Sequence, residues 1–523
     1  MRHLSKYLLT SAPAAIYLIL ATLRLSYPGL HFDEMLHVNA ALGGLDGTFV
    51  YKTVWQVPVL LMPYIGAIKA CFMAPLFAIF GVNPISVRLP IILLVALALL
   101  LFNRVLTRWI GRWPALVVCA LLALDPTFIQ LTRADSGPVA LQFILLILAL
   151  YWLQRYLTHP RLPDALGLWL ALGLGVFAKL NFIWTVNALL VAGLVVYGRT
   201  LVRTLHLYAT VYRRLHLLVH GAGFACIAGY YLLVSYKFNL FTFLEPGQLD
   251  LQVRLANFWT NLRGIASGSL FYNYALGELD NLVVRVMPIL VAILLVAGLV
   301  AIVAAKCSKN IRRSYIFFVL VLLLTASQIF VTRNAVWPWH YFALYPALTL
   351  VLVLSGVALL KLLPRPKVWR AAIIITLPLY AVYLLSVDLH YVTALHQPTK
   401  NVYWSSAIYE LYDYTRSVDQ TIVSVDWGTH TQLLGLSQDA NKYKNESFML
   451  NRDPLPIERQ QKFNTYLSRY DILFVLHSSE HTLFSVARKN FFELVATTGH
   501  TLRAVQTISN GSDPLFELYR LSP

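Results

Sequence analysis

The chain has 523 residues, of which 58% are hydrophobic and only 13% charged, about half the charged share of an ordinary soluble protein. Many apolar runs approach the roughly 20 residues that cross a bilayer as a helix, and a β-barrel spans with much shorter alternating segments. Composition therefore excludes an ordinary soluble protein, disfavours a barrel and sets the class as a polytopic α-helical membrane protein. The net charge of +18 would suggest nucleic acid in a soluble chain. Here Lys and Arg concentrate in short loops between apolar segments, where they act as topology signals and meet anionic headgroups or an anionic lipid substrate. No nucleic-acid partner is expected.

The first predicted helix covers 7–25. Arg2 and Lys6 precede it, so the N-terminus is expected in the cytoplasm. The opening run resembles a signal peptide, but it is long and no small-x-small site ends it, so an uncleaved helix is expected. Residues 26–86 then form a first outer loop. Further crossings are predicted at 87–106, 114–129, 137–154, 164–178, 181–197, 217–235, 284–304, 315–331, 341–360 and 371–388, about eleven in all.

Charge supports this register. Arg104, Arg108 and Arg112 fall on the same side as Arg155 and Arg161, and as Arg199, Arg203, Arg213 and Arg214. Lys306, Lys309, Arg312 and Arg313, then Lys361, Arg365, Lys367 and Arg370, fall there too. Residues 57–80 are apolar enough to span, yet a crossing there would put every basic loop outside. Pro58, Pro63 and Pro75 point to a broken path, so an interfacial or re-entrant helix is expected, with a twelfth crossing as the alternative.

The chain changes character after residue 388. Residues 389–523 are predicted to form an extracytoplasmic α/β domain. Helices are expected at 408–418, at 429–438 with Thr429 or Thr431 as cap, and at 463–470. Strands are expected at 421–428, 471–478, 492–499 and 514–521. Asp426, at a strand end, reads as a turn residue or loop anchor before a catalytic one. The spacing GxGxxG is absent around Gly428. None of the four cysteines, Cys71, Cys119, Cys226 and Cys307, lies in this region, and no C-x-x-C zinc spacing exists.

Charges in or at a membrane are costly and mark functional sites. Asp33 and Glu34 follow the first helix, flanked by His31 and His37. On a helix the two acids point about 100° apart, so one can face a reaction centre while the other braces the helix or holds an acceptor. Acids at a helix start also have a purely structural role. Asp135 lies at another helix mouth, with Ser136, Gly137 and Pro138 behind it. It reads as an N-cap, a site residue or both, and Arg133 reads as its partner. Asp125-Pro126 is expected to end or kink the third crossing. Lys179 and Arg333 are cations outside the basic side, as a phosphate-linked lipid donor requires. Snorkelling is the plainer reading. Trp337, Trp339, His340 and Tyr341 form an aromatic belt or a sugar platform, with the belt favoured for most and His340 kept as a site member. Lys52 and Lys69 read as interface anchors or headgroup contacts.

Several segments together resemble the integral-membrane glycosyltransferases that use polyprenyl-phosphate sugars: protein O-mannosyltransferases and the lipid A aminoarabinose transferase. The segments are FDE at 32–34, FGVNPISVRLP at 80–90, TRADSGP at 132–138, AKLNFIW at 178–184 and the stretch from 333 to 347. The resemblance covers roughly 20–350 and implies the C-type glycosyltransferase fold. It implies that Asp33, with Glu34 beside it, serves as general base or acceptor anchor and that Asp135 is the second outer acid. It implies that Arg88 supports the first loop or its acidic cluster, and that Lys179, Arg333 and Lys52 sit near the lipid phosphate. His31, Arg133, His340 and Tyr341 are support or substrate contacts. The sequence departs from the family where Lys52 is followed by TVWQVPV rather than a proline pair. It departs again where Arg333 is followed by Asn334.

The expected reaction is transfer of a hexose or pentose from a polyprenyl phosphate to an extracytoplasmic lipid, glycan or protein, with inversion inherited from the resemblance. Asp33 and Asp135 are the ligands available to a Mg or Mn ion, which is not firmly predicted. A lipid or solute transporter, or a non-catalytic glycan- or lipid-binding assembly protein, is the alternative. No half-to-half repeat supports the transporter. The expected location is a prokaryotic inner or plasma membrane.

Overall fold

The structure is a computed structural model that describes residues 2–44, 50–206, 210–237, 251–304, 307–332, 337–362, 367–395 and 397–522. Helix α1 (Arg2–Thr22) leads into the short α2 (Phe32–Ala41). Its start is fixed by a reciprocal cap: Asp33 N donates to His31 Nδ1 at 3.1 Å and His31 N donates to Glu34 Oε2 at 2.9 Å. A small antiparallel sheet follows, β1 (Lys52–Val54), β2 (Val57–Met62) and β3 (Ile65–Gly66), and then α3 (Ile68–Phe80). The expected interfacial helix over 57–80 is thus corrected. Its first part pairs as strands and only its second part is helical. An apolar run of six residues, VPVLLM, reads alike in both states, and pairing of Lys52 with Leu60 and of Leu60 with Gly66 decides it.

The bundle continues with α4 (Pro84–Ile110), α5 (Arg112–Leu124), α6 (Pro126–Ala134), α7 (Val139–Thr158), α8 (Leu162–Ala178), α9 (Ile183–His206) and α10 (Thr210–Lys237). After α11 (Leu251–Ser267) and α12 (Leu270–Ala275) come α13 (Leu282–Ala304), α14 (Lys309–Val331), α15 (Tyr345–Leu362) and α16 (Lys367–Ala394). Among the described residues eight helical segments are long and apolar enough to cross a membrane. The pair α5 and α6, bent by 67°, makes a ninth, and Leu9–Thr22 and Leu162–Ala178 are shorter apolar helices. The bend has a local cause. Asp125 caps α6 by accepting from Phe128 N at 2.8 Å, and Pro126 occupies the first turn, where its missing N–H costs nothing.

The last part of the chain holds α17 (Ala407–Ser417), β4 (Thr421–Ser424), α18 (Thr429–Ser437), β5 (Tyr443–Asn445), α19 (Ser447–Leu450), α20 (Ile457–Leu467), β6 (Ile472–His477), α21 (Ser485–Thr497), β7 (Thr501–Asn510) and β8 (Asp513–Ser522). The sheet order is β5-β4-β6-β8-β7. Strands β5, β4 and β6 run parallel, and β8 and β7 are antiparallel additions. All six residues of β6, ILFVLH, are buried, as expected of a central strand covered on both faces. Two expectations are corrected. Residues 492–499 belong largely to α21, because Ala487, Phe491, Leu494 and Val495 are buried at helical spacing. The cap of α18 is Gly428, in the left-handed region at φ 87° with no side-chain bond, rather than a threonine.

This domain docks on the outer elements of the bundle. Helix α18 packs against α2. Asn39 Nδ2 donates to Thr431 O at 3.1 Å, Gln432 Nε2 to Leu30 O at 2.5 Å, and Gly29 N to Trp404 O at 2.8 Å.

Candidate functional site

The site is built around the turn between α1 and α2. Two buried arginines hold its backbone carbonyls. Arg88 Nη1 donates to Leu25 O at 2.9 Å and Pro28 O at 2.8 Å, and Nη2 to Gly29 O at 3.2 Å. Arg133 donates to the carbonyls of Leu23, Arg24 and Tyr27, the first at 2.7 Å. Arg88 also grips Glu34 with both forks, Nε to Oε1 and Nη2 to Oε2, each at 2.8 Å, and both side chains have no exposed surface. Such a bidentate pair fixes angle as well as distance. It sets the rotation of α2 and leaves Asp33, one residue earlier, turned toward open space.

That space is a cavity of about 1250 Å³. Its walls include His31, Asp33 and His37 from α2, Tyr64 and Ile65 from the small sheet, Ser136 and Gly137, Lys179 and Asn181, and Trp337, Trp339 and His340. Asp33 is half-buried. Burial pushes its carboxyl up to about 6, and the Lys179 and Lys69 ammonium groups oppose the rise. Lys179 is buried and lies 6.0 Å from the centre of the Trp339 ring, within cation–π range. It is held at its backbone: Lys179 bridges to Ile65 in antiparallel fashion, and Leu180 N donates to Tyr64 O at 3.0 Å. Gly137 faces it so closely that a Cβ there would strike the Lys179 Nζ.

Asp135 caps both neighbouring helices. It ends α6 in the left-handed region at φ 45°, which aspartate tolerates, and its Oδ1 accepts from Ala140 N at 2.9 Å in α7. Its partner is Lys69, whose Nζ lies 2.8 Å from Oδ2 and 2.8 Å from the Asp135 carbonyl, with both side chains buried. The expected Arg133–Asp135 pair is therefore corrected, since Arg133 is taken by the carbonyls of the α1–α2 turn.

The outer domain supplies the remaining wall with Lys400, Tyr403, Trp427, Phe448, Glu480 and His481 among others. Trp427 packs on Phe32, ring centres 4.4 Å apart. Asp426 is a loop anchor. It accepts from Trp427 N at 2.7 Å, Thr482 Oγ1 at 2.6 Å and Phe484 N at 3.0 Å, and lies 3.2 Å from His477 Nδ1. One carboxylate thus ties Trp427 and the loop at 480–483 into one wall.

The structure brings Asp33, Lys179, His31 and His340 to one cavity. Glu34 and Asp135 do not line it, and both are locked in buried ion pairs. Lys52 is exposed on β1 and Tyr341 is buried in the bundle, both away from the cavity wall. Arg333, like Lys306 and Arg365 of the basic loops, lies outside the described residues. The aromatic belt is corrected for Trp337 and Trp339, which face the cavity with their indoles stacked at 5.6 Å, and His340, kept as a site member, lines the cavity with them. Sequence reasoning undervalued Lys69, read as an anchor, and passed over His37. The available signal for His37 was its place four residues after Asp33, whereas Lys69, the second residue of α3, carried no local mark. A divalent metal at Asp33 and Asp135 does not fit this donor set, because the Lys69 ammonium occupies Asp135 Oδ2. Among the described residues no three His, Cys, Asp or Glu side chains gather as ligands.

Residues 68–221 match the family model for dolichyl-phosphate-mannose-protein mannosyltransferase. No curated protein matches the chain. Among solved structures, ArnT from Cupriavidus metallidurans in the apo state aligns over 99% of this chain and 98% of its own, with a TM-score of 0.54 at 15% identity. The chain is similar to ArnT from end to end. The same protein bound to undecaprenyl phosphate aligns over 98% and 97%, with a TM-score of 0.52 at 16% identity. At these identities the likeness is one of fold: a polytopic helical membrane protein with the C-terminal mixed-sheet domain seated on it, as in ArnT.

Proposed function

We propose that the chain transfers a sugar from a polyprenyl-phosphate donor to an acceptor on the extracytoplasmic side of a membrane. The observation that carries the reading is the meeting of a half-buried acid, Asp33, and a buried cation, Lys179, in one cavity of about 1250 Å³. This cavity lies between an apolar helical bundle and a polar domain. A lipid-linked donor needs that combination: a bilayer-facing side for its tail, a cation for its phosphate and a base for its acceptor. The ArnT structure bound to undecaprenyl phosphate supports the same donor class.

In this reading the acceptor oxygen attacks the anomeric carbon. The bond from that carbon to the phosphate oxygen breaks, and Asp33 takes the acceptor proton. A base acts from about 2.6–3.2 Å or through one water. The departing polyprenyl phosphate carries the new negative charge, which Lys179 meets with its ammonium group, and Arg333 is proposed to join it. One displacement inverts the anomeric centre. Glu34 and Asp135 act through Arg88 and Lys69: they hold α2 and the Ser136–Gly137 wall and do not touch substrate. His31 and His340 are contacts along the cavity wall. No step is derived through a metal. The proposed acceptor is an extracytoplasmic lipid, glycan or protein, and the charge of the basic loops supports an N-terminus on the cytoplasmic side of a prokaryotic inner or plasma membrane.

A panel of labelled polyprenyl-phosphate sugars, presented to the purified protein in sealed vesicles of known orientation, tests the reading. One donor is expected to bind and be consumed from the face that carries residues 389–523. A folded protein that binds and consumes none, or that moves a labelled lipid across the bilayer without product, contradicts it.

A further inference from the structure

Residues four apart on a helix share one face, with Cβ atoms about 5–6 Å apart. Asp33 and His37 stand in that relation on α2, and both line the cavity. His37 is 2% exposed, and its Nδ1 is a buried atom with no hydrogen-bond partner. Buried polar atoms are nearly always paired, and an unpaired one in a cavity wall favours a ligand that completes it. Elsewhere on α2, His31 and Glu34 cap the helix and Asn39 Nδ2 bonds the outer domain; Asn39 Oδ1 is also buried without a partner, but Asn39 does not line the cavity and His37 does.

The surroundings select the ligand chemistry. Burial, then the nearby Lys69 and Lys179 charges, hold the His37 imidazole well below its usual pKa, so the ring is neutral. An anionic phosphate finds the lysine side of the cavity instead. A neutral imidazole offers one donor and one acceptor. A sugar hydroxyl both donates and accepts, so it pairs with the free nitrogen in either tautomer. The offset from Asp33, about 5–6 Å, is about the width of one pyranose ring.

We infer that His37 is a donor-sugar contact: its unpaired imidazole nitrogen hydrogen-bonds a ring hydroxyl of the sugar whose anomeric carbon lies at Asp33. This rests on the proposed reaction and names the part of the donor that His37 recognises. It is a binding role, separate from the base and from the phosphate cation.

The test compares dissociation constants for undecaprenyl phosphate alone and for its mannosyl, glucosyl and arabinosyl derivatives, in the wild type, His37→Ala and His37→Gln. In His37→Ala the preferred sugar-bearing donor is expected to bind about tenfold more weakly, the loss typical of a buried hydroxyl left unpaired. The sugar-free lipid should be unchanged. His37→Gln, which keeps a donor and an acceptor, should recover most of the loss. Parallel weakening of both ligands, as a structural role would give, overturns the inference, and so does no change in either. Wild-type protein that binds undecaprenyl phosphate but none of its glycosylated forms overturns it as well. Failure to bind any of these lipids defeats the proposed function itself.

Discussion

Asp33 and Glu34 are adjacent and chemically near-identical, yet the fold gives them opposite tasks. Glu34 is fully buried against Arg88 and braces the turn. Asp33, about 100° around the helix, meets the cavity. Their offset was legible in the residues themselves, but the choice between them came only from the family resemblance, because it depends on an arginine 54 positions away from Glu34. Lys69 and Asp135 repeat the lesson: their contact spans 66 positions, and nothing local distinguishes Lys69 from an interface anchor. The environment of Asp33 gives a signed pH prediction. Burial raises its pKa to about 6, and a base works only when deprotonated. The kcat/KM for donor consumption should therefore climb as pH rises through about 6 and level off above it. A profile that is flat across that range contradicts Asp33 as the base.

Among the elements, the turn from α1 to α2 matters most, because it has no regular structure of its own to hold Asp33. Arg88 and Arg133 replace that structure by collecting six carbonyls from residues 23–29. Arg88→Ala removes three of these bonds and strands the Glu34 carboxylate in a dry interior. Breaking a buried ion pair in this way costs about 3–5 kcal/mol. A marked fall in the thermal midpoint in detergent is expected, and an unchanged midpoint would show that the turn is held by other contacts. The kink at Asp125-Pro126 was legible because cap and proline act locally. The strand pairing of 57–66 was not, since only its register against Lys52 and Gly66 separates it from an apolar helix. In α21, the strand expected over 492–499 gave way to a helix, since Ala487, Phe491 and Val495 are buried at a spacing of four.

Across the whole molecule, the long apolar helices were legible because bilayer thickness fixes the length of an apolar helix, although eight of crossing length, or nine with the bent α5–α6 pair, stand among the described residues beside the eleven crossings expected. The seating of the outer domain was not legible. Its contacts, Gln432 with Leu30 and Asn39 with Thr431, join residues about 400 positions apart. That seating makes one chamber from two kinds of material, with α2 shared between them. It also explains why Asp426, a loop anchor far from the bundle in sequence, shapes a wall beside Phe32. The account stands on Asp33 as the proton acceptor within this chamber. Its most direct measurement is donor binding and sugar transfer by Asp33→Asn beside the wild type in lipid. The variant should bind the donor within a few-fold of normal and transfer at least about a hundredfold more slowly, the usual contribution of a general base. Transfer at the wild-type rate would contradict the account.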